Sequence, residues 1–81
     1  MTEAGKDTDR ALQAARAIID RRDVAKDFGA IMVTAEHAIA TLLIALMGGN
    51  PRKAAAMLNE GLVEGVENRL SLYMAEDQPH D

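Results

Sequence analysis

The chain has 81 residues and a formal net charge of −4, which leaves room for one small domain with a modest core. It contains no cysteine, so disulfide bonds and thiolate metal sites are excluded. No basic face is large enough to follow a phosphate backbone, and the acidic C-terminal third disfavours nucleic acid and anionic lipid as partners.

The first predicted helix covers residues 8–21. Residues 1–7 are small and polar, so we expect a flexible N-terminus, and the lack of an apolar signal core favours a cytoplasmic location. Asp7 or Thr8 is the expected N-cap. The apolar side chains of this helix share one face, and they are Ala11, Leu12, Ala15, Ile18 and Ile19.

A break is expected between the first helix and the second. Continued in register, the first helix would place Val24 about 160° from its apolar face. One straight helix cannot turn both apolar faces to the same core, so we place the break at Arg21 to Asp23. Asp23 is then the N-cap of the next helix, and Gly29 is the alternative hinge.

The second predicted helix covers residues 24–47 and is apolar on most of its circumference. Its main stripe has helical spacing and consists of Val24, Phe28, Ile31, Ala35, Ile39, Leu42 and Leu46. Such a helix has to be covered on more than one side. A membrane span is the rival interpretation, but Glu36, His37 and two threonines interrupt the apolar run. We therefore predict a buried core helix and no membrane partner.

The sequence Gly48-Gly49-Asn50-Pro51 marks a tight turn. Glycine supports a left-handed helix end, and Asn followed by Pro is typical of a helix start. The third helix is predicted over residues 51–75. Because the linker is short, the second and third helices should form a long antiparallel hairpin. Residues 76–81 are expected to be a polar tail after a single helical domain at residues 8–75.

The predicted fold class is therefore all-α, and two chains are expected to pair so that their hairpins form a four-helix core. A small chain without disulfides often needs oligomerisation, and two-fold dimers are the commonest assemblies. The candidate residues for the dimer contact or for close helix packing are Phe28, Ile31, Leu42, Gly61 and Gly65. The glycine spacing permits close helix approach, but an incidental pair is equally compatible with it.

Three residues form a polar cluster on one side of the second helix, namely Thr34, His37 and Thr41. The functional interpretation is a ligand-binding or proton-handling site. The structural alternative is a histidine whose hydrogen bonds are met by neighbours, or one exposed at the edge of the bundle. No metal-ligand motif or catalytic constellation accompanies the cluster, so we predict no catalytic residue, no metal and no cofactor.

The third helix carries an acidic face, formed by Glu60, Glu64 and Glu67, with Met57 toward the same polar side. A solvated face is the ordinary interpretation of such a row, and a surface for a partner protein is the functional one. The same acidic residues disfavour a helix-turn-helix that binds nucleic acid, because a recognition helix needs basic side chains.

The leading hypothesis is a small non-enzymatic protein-interaction module: a regulator, inhibitor or adaptor. It would act as a helical homodimer and bind a partner protein with a basic surface. The alternatives are a binder of a small ligand or cofactor in a helical core around His37, and a helix-turn-helix nucleic-acid binder.

Overall fold

The computed structural model describes residues 2–77, which are all-helical and contain no strand. Helix α1 covers Glu3–Ile19 and helix α2 covers Phe28–Leu46. The third helix is made of α3 (Pro51–Met57), a π-helical segment (Leu58–Leu62) and α4 (Val63–Asp77). The all-α prediction with three successive helices is therefore confirmed.

The chain divides into two compact units, Met1–Ile39 and Ala40–Asp81, and the division falls within α2. The first unit holds α1, the following turn and the beginning of α2. The second unit holds the end of α2 and the whole third helix. The predicted antiparallel arrangement of the second and third helices stays a prediction.

Helix α1 begins five residues before the predicted boundary, so the predicted start at residue 8 is wrong. Thr2 is the N-cap, because its hydroxyl accepts a hydrogen bond from the backbone N–H of Gly5 at 3.1 Å. Glu3 lies in the first turn, where the positive end of the helix dipole interacts favourably with a carboxylate. Thr8 is an interior residue instead, and its hydroxyl donates to the carbonyl of Ala4 at 3.0 Å.

Two consecutive left-handed residues end α1. Asp20 has a φ of 50° and Arg21 a φ of 60°, and the Asp20 N–H donates to the Arg16 carbonyl at 2.8 Å. The helix therefore ends at Ile19, two residues before its predicted end. The predicted break before the second helix is confirmed, and it extends from Asp20 onward rather than from Arg21.

The turn that follows is organised by two aspartates. The Asp23 carboxylate accepts hydrogen bonds from the backbone N–H groups of Ala25 and Lys26 at 3.0 and 2.9 Å. The Asp27 carboxylate accepts one from the Asp23 N–H at 3.2 Å. These local bonds compete with regular helix formation. Asp23 therefore caps a single turn as predicted, but α2 begins at Phe28 and the predicted start at residue 24 is wrong.

The side chain of Arg22 joins the end of α1 to α2 within the first unit. Its guanidinium donates to the carbonyls of Ile18 and Ile19 at 2.6 and 3.1 Å, and to the hydroxyl of Thr34 at 3.0 Å. Two carbonyls of the last helical turn accept a charged side-chain donor in this way, and the Ile19 carbonyl also accepts from the Arg22 backbone N–H at 3.0 Å. The Thr34 hydroxyl in turn donates to the carbonyl of Ala30 at 3.2 Å. We call these bonds the Arg22 cluster.

The turn before the third helix matches the sequence prediction. Gly48 and Gly49 have φ values of 64° and 82°, which only glycine adopts without strain. The Gly49 N–H donates to the Ile44 carbonyl at 2.8 Å. Asn50 is the N-cap through its side-chain oxygen, which accepts from the Lys53 N–H at 3.1 Å, and Pro51 follows at the first helical position.

The third helix is helical beyond its predicted end but is not the uninterrupted α-helix that the sequence predicts. Within the π-helical segment the Val63 N–H donates to the Leu58 carbonyl, five residues earlier. The side-chain amide of Asn59 donates to the Ala55 carbonyl at 3.0 Å. A π turn holds about one extra residue, so the residues of α4 are rotated by about 100° relative to a continuous α-helix.

Few side chains are buried in this single chain. Among the described apolar residues only Leu43 and Ala54, at 4% and 6% exposure, are classed as buried, and both belong to the second unit. Within one chain the α2 stripe is left open, since Phe28, Ile39 and Leu42 are exposed. Its expected burial in a core shared by two chains stays a prediction. Hydrogen bonds and caps define the helices, but one chain does not cover their apolar faces.

The Arg22 cluster predicts that replacing Arg22 lowers the free energy of unfolding more than replacing its neighbour Arg21. Arg22→Ala removes hydrogen bonds from a charged donor and should lower the free energy of unfolding by about 1.5–3 kcal/mol. Arg22→Lys should recover only part of this, because lysine lacks the planar fork. Urea denaturation followed by circular dichroism measures the difference. Arg21→Ala, at an exposed position, is the matched control, and equal losses for the two alanine variants would contradict the role of the cluster.

Candidate interaction surface

Helix α2 presents an exposed apolar surface along its whole length. Of its 19 residues only Leu43 is buried. Its large exposed apolar side chains are Phe28, Met32, Val33, Ile39, Leu42, Ile44 and Leu46. By length and composition this helix could cross a membrane. A helix that is apolar nearly all round requires cover from other molecules when its own chain leaves it open.

The polar cluster of α2 is divided between structural and exposed roles. Thr34 is half-buried, and its hydroxyl is engaged on both sides by Arg22 and by the Ala30 carbonyl. His37 and Thr41 are exposed. The cluster is therefore a surface feature, and these side chains do not form the enclosed site that a buried small-molecule ligand requires. The ligand hypothesis has no observation in its favour.

Metal binding has no candidate group in the part of the chain that the structure describes. Among the side chains of residues 2–75, no group of three or more His, Cys, Asp or Glu is placed to hold a metal ion. A shallow depression lies at the end of α1 instead, lined by Arg16, Ala17, Ile19, Asp20 and Arg21. It is formed by neighbouring residues around the left-handed turn and holds no titratable pair suited to catalysis.

The three predicted acidic residues are all exposed, but the π-helical segment changes their alignment. Glu60 lies inside that segment, whereas Glu64 and Glu67 lie on α4 beyond it. They therefore do not continue one regular α-helical row. Among the side chains of residues 2–75 the only ion pair joins Lys6 and Glu3 at 3.7 Å, so the carboxylates of this acidic face are open to a basic partner.

The glycines of the third helix have different surroundings. A Cβ atom placed on Gly61 would lie 2.9 Å from the sulfur of Met57, one turn earlier in the same helix. At Gly65 a Cβ atom would meet nothing within 4 Å. Close approach of another helix of the same chain is therefore not the reason for Gly65. Its place in a dimer contact stays a prediction, and Met57 is exposed as expected.

Sequence reasoning missed two side chains that organise the structure. Arg22 has acidic neighbours in the sequence, a pattern typical of a charge-balanced junction, yet it binds helix carbonyls and Thr34. Its signal was the position three to four residues after the last helical carbonyls, where basic side chains often cap a helix. Asn59 supports the π-helical segment through the Ala55 carbonyl, and no feature of the sequence marked it.

No protein-family model, curated protein or solved structure matches the chain. The functional argument therefore depends on the residues and surfaces described above.

The open space at Gly65 predicts a gain in stability. Gly65→Ala should raise the free energy of unfolding by about 0.5–1 kcal/mol, because alanine restricts the unfolded chain and meets no neighbour. Gly61→Ala is the comparison variant, and it should gain less because Met57 has to move. Thermal and urea unfolding measure both. A loss of stability for Gly65→Ala in an oligomeric sample would instead assign Gly65 to a contact between chains.

Proposed function

We propose that the chain is a small non-enzymatic protein-interaction module, a regulator, inhibitor or adaptor, that pairs as a helical homodimer and binds a partner protein. The observation that carries the proposal is the exposure of α2, on which a single residue of the helix, Leu43, is buried. Burial of apolar area contributes about 25 cal/mol per Å², so covering this helix is the largest gain open to the chain. The proposal assigns no catalytic residue, metal or cofactor.

The proposed dimer brings the second and third helices of two chains into a four-helix core, with each pair of helices forming an antiparallel hairpin. Support for the hairpin comes from the short Gly48–Asn50 linker and from the burial of Leu43 and Ala54 on either side of it. Support for the pairing comes from the large apolar side chains that α2 exposes. In a two-fold dimer, the same surface of each chain is covered by its equivalent on the other chain.

The proposed partner surface is the acidic face of the third helix. Glu60, Glu64 and Glu67 are exposed, and their carboxylates can meet a basic surface without displacing an internal ion pair. Complementary charge raises association rates and excludes partners of like charge. A cytoplasmic protein with a basic patch is therefore the class of partner that fits. The same acidic face argues against nucleic acid as the partner.

Membrane association of α2 is a second candidate function, favoured by one observation. The helix is long and apolar enough to span a bilayer, and 6% of its 18-residue apolar window is buried. Opposed to this, exposed Glu36 and His37 lie at its middle. A charged side chain at the centre of a membrane helix costs about 2.5–3.5 kcal/mol. Pairing with a second copy allows these polar side chains to remain in water.

The proposed dimer predicts that the two sides of α2 differ in their response to a charge. Leu42→Glu lies on the main apolar stripe and should shift the chain to monomer, weakening the dimer at least tenfold. Ile44→Glu places the same charge about 160° away around the helix and should weaken it much less. Sedimentation equilibrium measures both constants. Equal effects, or a monomeric unmodified chain, would contradict the proposed pairing.

The acidic face predicts a charge-dependent partner interaction. Immobilised unmodified chain should retain a binding protein from a lysate in a salt-sensitive manner, and the Glu60→Gln/Glu64→Gln/Glu67→Gln variant should lose it. Glu3→Gln, a substitution at an exposed carboxylate of α1, is the control. A dimer that retains no protein, or that retains the same protein after the triple substitution, would contradict the acidic face as the partner surface.

A further inference from the structure

The exposed side of α2 contains a regular heptad seam. Six positions follow one another at intervals of 4, 3, 4, 3 and 4 residues, and they are Phe28, Met32, Ala35, Ile39, Leu42 and Leu46. This alternation is the spacing of a and d positions in a coiled coil. Ala35 is half-buried and the other members are exposed, from 39% at Ile39 to 64% at Leu46.

Intramolecular contacts of the first unit leave this seam open. Arg22 binds α2 through Thr34, which lies about 120° around the helix from Phe28. Ile31 and Thr34 are half-buried on that side, whereas Phe28 and Met32 are exposed. The seam therefore remains available to another molecule after α1 is in place.

The spacing of the seam positions is the same in both directions along the helix, and its midpoint is at the level of residue 37. In an antiparallel pair of α2 helices, Phe28 therefore faces Leu46 of the second copy and Met32 faces Leu42. Ala35 faces Ile39 of the second copy, so the smallest side chain of the seam meets a large one, which suits close packing.

A parallel pair would match these side chains less well. Each residue would face its own equivalent, with Phe28 against Phe28 and Ala35 against Ala35. The Ala35 layer would then leave unfilled space, and lost packing in a core costs stability in proportion to the cavity. The flanking residues Ala38 and Ala45 are small and allow close helix approach in the antiparallel pair.

From this self-matching seam we infer that a second copy of the chain docks on α2 in an antiparallel orientation, with the two-fold axis at the level of residue 37. The inference rests on the proposed homodimer and specifies its orientation and register. A second copy is the occupant that carries the same seam, and the large side chains of the seam are exposed in the single chain, from 39% at Ile39 to 64% at Leu46. Glu36 of each chain then lies near its equivalent across the axis.

Single-cysteine variants test the orientation, since the chain has no cysteine of its own. Met32→Cys and Leu42→Cys should form a disulfide with each other when the two variants are mixed, allowed to exchange subunits and oxidised. Each alone should stay uncrosslinked, because equivalent positions lie about 15 Å apart along the axis. A disulfide needs Cα atoms within about 7 Å. Ile44→Cys mixed with Met32→Cys is the control and should not crosslink.

A second variant gives a readout without crosslinking. Glu36→Gln removes a like-charge pair across the axis and should tighten the antiparallel dimer about twofold. In a parallel pair Glu36 flanks Ile31 of the other chain, so the same substitution should leave the dimer unchanged. Sedimentation equilibrium of the two chains measures this difference.

The possible failures separate the inference from the proposed function. Disulfides within each single variant would show a parallel pair, and a dimer without crosslinks in any sample would place the contact elsewhere. Both results overturn the antiparallel seam but keep the homodimer. A monomer in buffer overturns the homodimer itself. A monomer that sediments with vesicles of phosphatidylcholine would replace the second copy with a membrane as the occupant of α2.

Discussion

The structure depends on covering the apolar surface of α2. This helix makes up the middle of the chain, yet Leu43 is its only buried residue. Hydrophobic burial is the main favourable term in folding, and a small chain without a core has little to set against its conformational entropy. In the proposed homodimer, the pairing of chains would therefore stabilise the fold as well as serve the proposed function.

Polar interactions have a different role in this molecule. The Arg22 cluster, the Asp23 turn and the Asn50 cap satisfy backbone groups at helix ends and determine where each helix begins or stops. These polar interactions set the helix boundaries, but they remove little apolar surface from water. The same separation holds for possible partners: apolar side chains of α2 provide area, and exposed carboxylates of the third helix provide charge complementarity.

Sequence reasoning identified the features that are encoded locally. The helical period of residues 28–46 and the Gly48–Pro51 turn are read from neighbouring residues, and both are present. The start of α1 was missed because Thr2 and Thr8 are equally good caps in isolation. The π-helical segment was missed because it depends on a small difference between two hydrogen-bond patterns. The need to cover α2 could be read from its composition, but the molecule that covers it could not, since burial depends on the assembly.

The mass of the unmodified chain in aqueous buffer tests the central claim most directly. Multi-angle light scattering after size exclusion, at several loading concentrations and without detergent, should give twice the chain mass of 8.7 kDa. Circular dichroism on the same fractions should show helix. A folded chain with the mass of a monomer at every concentration would contradict the account, because α2 would then be stable in water without a second copy.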